Sequence, residues 1–233
     1  MPKTFVLVHG AFHGGWCWRR VADLLEATGH KVFAPTLTGL GERAHLLTPS
    51  VNLTTHITDV VNVFKWEGLS DVVLCGHSYG GMVIAGVAEQ VASSIAAIVV
   101  LDGFVPENGD APGDLTGPAM REAIQAARQK NEFTVAPRPA AAFGVNERDR
   151  AWVDGKMTPQ PLATYTEKIA VTGALQAIAK KTYIRAPSYV NPGFDKALTR
   201  IKADPSWRTC EAPCGHDVMV DEPAWLAKIL LEA

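Results

Sequence analysis

No apolar run in this sequence reaches the roughly 20 residues that a bilayer-spanning helix needs. The run 5–8, after Met1-Pro2-Lys3-Thr4, lacks the length of a signal-peptide core and meets His9-Gly10 where a cleavage site would stand. A soluble cytoplasmic protein without a membrane partner is therefore expected. Neither charge sign is in excess. Lys and Arg number 22 against 24 Asp and Glu, for a net charge of −2. Nothing there suggests a basic face for nucleic acid, and no nucleic-acid partner is expected. Blocks of like charge, internal repeats and low-complexity tracts are all missing. Cysteine is sparse as well: Cys17, Cys75, Cys210 and Cys214 make no disulfide framework in 233 residues. Cys75, within an apolar strand pattern, reads as a buried thiol. Cys210 and Cys214 have only His216 near them in sequence, too few ligands for zinc, so no metal and no cofactor are expected.

What is present is 47% hydrophobic sequence, enough for one sizeable core. Short continuous apolar runs at 5–8 and 72–75 read as strands buried in the sheet, and 31–35 and 95–101 read as further strands. Between them lie helical patterns: Trp18, Val21, Leu24 and Leu25 closed by Thr28-Gly29; Ile57, Val60, Val61 and Phe64 after a cap at Thr54 or Thr55; and 80–91 with its small residues. This alternation predicts an α/β fold with a mainly parallel sheet covered by helices on both sides. The rhythm breaks from about 106 to 180, rich in Ala, Pro and Gly, with a helix at 120–130 and no clean strand. That stretch reads as a helical lid inserted into a single domain whose core is 1–105 and 181–233. A strand at 182–185, a helix at 194–203, a strand at 208–211 and a helix at 221–231 complete the core.

Gly76-His77-Ser78-Tyr79-Gly80 matches G-x-S-x-G between a buried strand and a small-residue helix. A sharp turn there lifts the Ser78 hydroxyl above the sheet, and the helix N-terminus favours developing negative charge. Ser78 is thus the candidate nucleophile. The loop His9-Gly10-Ala11-Phe12-His13-Gly14-Gly15-Trp16 follows the first strand and can aim a main-chain N–H at a substrate oxygen. Ala11 and Tyr79 are the candidate oxyanion-hole donors, with Phe12 as the alternative to Ala11. His9 and His13 read as loop braces or pocket walls, and His77 as divergent from its neighbour Ser78. His216, after the last strand and before the last helix, reaches the same carboxyl edge of the sheet and is the candidate base. His30, His45 and His56 read as surface or lid-facing residues, with His45 able to touch substrate.

The supporting acid has two candidates. Asp102 ends an apolar buried strand, a costly place for a carboxylate without a task. Asp195 lies ten residues beyond 182–185. Asp102 is favoured. Asp217 is expected to point away from its neighbour His216, and Asp204 and Asp221 read as turn or cap residues.

Val6-Leu7-Val8-His9-Gly10-Ala11, Gly14-Gly15-Trp16, Gly76-His77-Ser78-Tyr79-Gly80-Gly81 and Gly215-His216-Asp217 resemble the α/β-hydrolase superfamily. The likeness extends to its branch of plant methylesterases and hydroxynitrile lyases, and more so to bacterial esterases of the carbendazim-hydrolysing type. Leu101 through Pro106 and Gly215 through Val220 resemble those bacterial members. The resemblance implies the α/β-hydrolase fold, the Ser78–His216 pair and a backbone oxyanion hole at Ala11 and Tyr79. It also exposes a departure. The plant members take their acid from the loop after the strand matching 182–185, and here that loop, 186–194, is longer and lacks the acidic pattern. Haloalkane dehalogenases and related hydrolases take it from the strand after the nucleophile helix, as Asp102 would allow.

The expected activity is hydrolysis of a carboxylic ester or carbamate through an acyl-enzyme on Ser78. Phe12, His13, Trp16, Phe104 and Trp152, with Phe143 and Tyr165 of the lid, suggest a small apolar or aromatic substrate. Two alternatives stay open. One is a C–C lyase of the hydroxynitrile-lyase kind, or a cofactor-free oxygenase, using the His–Asp pair as base; a lyase would want a cationic lysine near the pocket, for which Lys196 is the candidate. The other is a non-catalytic small-molecule receptor. A homodimer is compatible with either.

Overall fold

The computed structural model describes residues 2–233. Six parallel strands form the central sheet: β1 (Thr4–Val8), β2 (Lys31–Phe33), β3 (Val72–His77), β4 (Ile95–Leu101), β7 (Lys180–Arg185) and β8 (Trp207–Glu211), in the order β2-β1-β3-β4-β7-β8. The two remaining strands, β5 (Thr134–Val135) and β6 (Gln160–Pro161), pair antiparallel outside it. Alternate side chains of the inner strands β1, β3, β4 and β7 serve opposite faces, and both faces are largely buried, whereas the edge strands β2 and β8 are partly exposed. Val6, Val8, Leu74, Ile98, Val100 and Tyr183 pack on one side against α2 (Leu53–Glu67), α3 (Gly80–Val91) and α9 (Pro192–Lys202). Phe5, Leu7, Val73, Cys75, Val99, Leu101 and Ile184 pack on the other against α1 (Arg19–Glu26) and α11 (Pro223–Leu231). Two-sided burial explains why these strands read as unbroken apolar runs.

Register decides what meets at the sheet's carboxyl edge. His77 of β3 lies beside Leu101 of β4, and Leu101 beside Ile184 of β7. The next residues out, Ser78, Asp102 and Arg185, are therefore brought side by side. Ser78 N–H donates to Leu101 O at 3.0 Å and Asp102 N–H to Ile184 O at 2.6 Å.

Between β4 and β7 the chain leaves the sheet to form α4 (Pro112–Leu115), α5 (Pro118–Gln129), α6 (Glu147–Asp154), α7 (Ala163–Thr166), α8 (Ala174–Ala177) and the β5–β6 ribbon. The ribbon departs from the expectation of a strandless segment; at two residues per strand it is too short to show a period of two. The cap of α2 also differs. Asn52, rather than Thr54 or Thr55, is the N-cap, and Thr55 returns the second bond of a capping box. The last helical stretch is divided between α10 (Val218–Asp221) and α11, with Pro223 opening the latter.

Candidate active site

Ser78 sits on the turn between β3 and α3 with φ 55°, a left-handed conformation that non-glycine residues adopt only when their surroundings impose it. The surroundings do so through close backbone approach. A Cβ on Gly76 would stand 2.6 Å from Gly80 O, and one on Gly80 would stand 2.7 Å from Val8 O. With no room for side chains on either flank, the strand turns directly into the helix and leaves the Ser78 side chain at its tip.

Asp102 also has a positive φ, 39°, and is fully buried. His216 Nδ1 donates to its Oδ2 at 2.6 Å. Its Oδ1 accepts from Arg185 Nη1 at 2.6 Å and from Ala186 N–H at 2.9 Å. Three donors thus hold the carboxylate. The Nδ1–H tautomer they impose on His216 leaves Nε2 free to accept a proton. Asp195 is not on His216. Its exposed carboxylate accepts from Arg185 Nη2 at 2.8 Å, and Arg185 stands between it and Asp102. Arg185 is the residue the sequence reading passed over. A charge closing an otherwise buried strand was its signal, the same one that marked Asp102. His216 is further fixed by its own N–H, which donates to Phe143 O at 2.8 Å, and by Tyr189, stacked on its ring at 4.1 Å between centroids.

The loop after β1 supplies the opposite wall. Among the described residues nothing accepts a hydrogen bond from the Ala11 or the Tyr79 main-chain N–H. Phe12 differs: its N–H donates to Gln160 Oε1 at 3.0 Å, so the alternative donor is already engaged. Phe12 has φ 68° and its carbonyl accepts from Thr158 N–H at 2.9 Å. Both polar groups of this strained residue are therefore held by the inserted segment.

Tautomers of the remaining histidines follow from their partners. His9 Nε2 accepts from Leu37 N–H at 3.0 Å while Nδ1 donates to Gly10 O, and burial lowers it to about 3. It braces the loop, as expected. His56 is fully buried rather than at the surface, because Thr38 O takes its Nε2–H and Tyr79 O–H donates to its Nδ1; burial lowers it to about 4. His77 gives its Nε2–H to His216 O at 3.1 Å, and burial drives it well below the ordinary range. His45 is exposed and His30 accepts from Lys3 N–H, and neither lines the cavity.

A cavity of about 450 Å³ opens over Ser78 and His216. Its walls include Ala11, Phe12, His13, Tyr79 and Phe104 from the core and Phe143, Tyr165 and Arg138 from the insertion. Trp16 and Trp152, expected on this wall, are not on it. They pack edge to face on each other at 5.1 Å, with Trp16 stacked behind His13 and the Arg20 guanidinium over Trp152. Lys196 is exposed on α9 and outside the cavity.

Comparison with known proteins agrees with this architecture. The sequence profile of the Alpha/beta hydrolase family matches residues 5–229. The carbendazim hydrolyzing esterase of Nocardioides sp. (strain SG-4G) is 43% identical over 236 residues, covering 97% of this chain and 98% of that protein. Methylesterase 1 of Arabidopsis thaliana is 37% identical over 121 residues, 47% of this chain and 43% of that protein. Among solved structures, an extracellular α/β-hydrolase from a Paenibacillus species superposes with a TM-score of 0.87 at 25% identity, over 100% of this chain and 99% of that one. Tomato methylketone synthase I shares the fold, with a TM-score of 0.79 at 23% identity, over 100% and 97% of the two chains. The chain belongs to the α/β-hydrolase family.

Proposed function

We propose that this protein is a carboxylic ester hydrolase whose nucleophile is Ser78. One observation carries the reading: the 2.6 Å bond that fixes His216 to the buried Asp102, at the rim of the cavity into which the Ser78 turn projects. His216 Nε2 takes the Ser78 proton as the oxygen attacks the ester carbonyl. The tetrahedral oxyanion accepts from the Ala11 and Tyr79 main-chain N–H groups, which have no other acceptor among the described residues. His216 then gives the proton to the departing alcohol, leaving an acyl group on Ser78. Water, deprotonated by the same imidazole, releases the acid. Asp102 holds the tautomer and balances the imidazolium. The insertion, about 106–180, is the lid that selects the acyl group. Phe12, Phe104, Phe143 and Tyr165 suit a small apolar or aromatic ester or carbamate. Four free cysteines fit the cytoplasmic placement. No helix among the described residues is long and apolar enough to cross a membrane.

Intact mass after treatment with a fluorophosphonate tests the reading beside a panel of aryl and alkyl esters. The expected result is one adduct, lost in Ser78→Ala, and turnover of at least one ester class. A protein that folds yet forms no Ser78 adduct and turns over no ester is not a serine hydrolase.

A further inference from the structure

The His13 ring is fully enclosed and both of its nitrogens face oxygen acceptors. Nδ1 lies 2.8 Å from Ala11 O, and Nε2 lies 3.0 Å from Asp217 Oδ2. A carbonyl cannot donate, and neither can an ionised carboxylate. A neutral imidazole has one N–H, so one of these contacts would set lone pair against lone pair. Each of the histidines 9, 56 and 77 has surroundings that one N–H satisfies; His13 does not. Burial alone opposes a charge on His13. The Asp217 carboxylate, its hydrogen bond and the Ala11 carbonyl outweigh burial and raise the ring above its ordinary value. The same imidazolium holds Asp217 at about 2 against the opposing effect of burial.

We propose that His13 is a standing imidazolium, and that with Asp217 it locks the oxyanion-hole loop to the loop of the catalytic base. The idea rests on the hydrolase reading for its functional half. Ala11 O belongs to the peptide joining Ala11 to Phe12. His13 Nδ1–H holds that peptide's oxygen and Gln160 Oε1 holds its N–H. Pinned at both ends, the peptide resists rotation, and this restrains the Ala11 N–H on the preceding peptide, one α-carbon upstream. Asp217 follows His216 directly, so the ion pair sets the distance between donor and base. Groups facing the His13 ring from other elements are His77 on β3, with centroids 6.2 Å apart, Trp16 at 5.2 Å, and Phe143 of the insertion at 6.1 Å. His9 adds a weak influence from the same loop, and Lys156 Nζ lies 5.9 Å from the Trp16 ring centroid. Asp217 is the carboxylate that holds the proton in place. His13 is thus a positioning residue, and its deprotonation at alkaline pH releases the pinned peptide.

Long-range ¹H–¹⁵N correlation of the histidine rings across a pH series, recorded beside kcat and KM for an ester that is turned over, tests this. In the wild-type protein His13 should show two ring N–H groups at pH 7, and the alkaline fall of kcat should follow their loss. In Asp217→Asn the second proton should leave below about pH 6.5, the ordinary histidine value. At pH 8 kcat should then fall about tenfold or more with KM little changed, since an oxyanion donor acts mainly on the transition state. Asp217→Glu should restore most of both. A single ring N–H on wild-type His13 at pH 7 would overturn the proposal, as would an alkaline limb that stays put when Asp217→Asn has moved the ring titration. If Asp217→Asn does not fold, the wild-type spectrum decides. If Ser78 forms no adduct and no ester is turned over, the hydrolase reading fails, and the ring spectrum still decides the charge on His13.

Discussion

At the scale of single residues, the two rival carboxylates now have separate places. Asp102 carries His216 and is buried; Asp195 carries only the outer face of Arg185 and is exposed. Asp102→Asn should keep the fold yet lower kcat by about 10⁴-fold, the scale seen when a triad carboxylate is neutralised. Asp195→Asn should change kcat less than about tenfold, because an exposed ion pair is weak. Steady-state turnover of both variants, with circular dichroism to check folding, decides; an equal loss in both would return the acid role to contention. Gln160 is the other residue with a clear expectation. Gln160→Ala frees the Phe12 N–H and removes one of the two pins on the Ala11–Phe12 peptide. A loss in kcat of about 10²-fold with KM nearly constant is expected. Ser78, His216 and Asp102 could be picked out in the sequence because each breaks a local rule: a serine between glycines, a histidine after the last strand, an aspartate ending an apolar run. Gln160 breaks none. Its role depends on a contact 148 residues away, which no local pattern encodes.

At the scale of elements, the sheet and its covering helices were legible because their apolar periods are long and continuous. Helix edges were less so. Asn52 caps α2 through a geometry that Thr54 and Thr55 mimic in composition alone. The segment between β4 and β7 was legible in the sequence as an interruption of the strand–helix rhythm and little more, since its helices α4, α7 and α8 have four residues each. Tertiary bonds anchor the segment through its longer helix α6. On α6, Asp149 receives two parallel bonds from Arg20 of α1, 2.9 and 2.7 Å long, and Arg20 also donates to Val220 O of α10. The Arg20 hydrogen bonds hold the Asp149 carboxyl well below its ordinary range, against burial and with help from Asn146. Its stabilisation is therefore present above the unfolded-state value and lost as pH falls through the folded one. Asp149→Asn should cost about 1–2 kcal/mol at pH 7, read from urea midpoints, and close to nothing in strong acid. An undiminished midpoint at pH 7 would show that the insertion is anchored elsewhere.

For the molecule as a whole, the buried neutral histidines set the acid limit. His9 is lowered to about 3 and His56 to about 4, both mainly by burial, and burial also holds His77 well below its ordinary range. All three regain ordinary values near 6.5 in the unfolded chain. Below that pH the unfolded state binds protons that the folded state refuses, so stability falls. Each such histidine costs about 1.4 kcal/mol per pH unit until its folded value is reached. The urea midpoint should therefore drop steeply between pH 6.5 and about 5, above the range where most carboxylates protonate. His56→Gln should flatten that slope, and a midpoint unchanged from pH 7 to 5 would refute the account. His13 works in the other direction. Its raised value adds stability below the unfolded value and loses it as pH rises through the folded one. The stacking of His216 on Tyr189, and of His13 on Trp16, has a magnetic consequence. Ring currents from those neighbours displace the ring-proton resonances of both histidines from the position of solvent-exposed His45. The proposed base and the proposed fixed cation thus carry built-in spectroscopic labels, and their charge states can be followed in the unaltered protein.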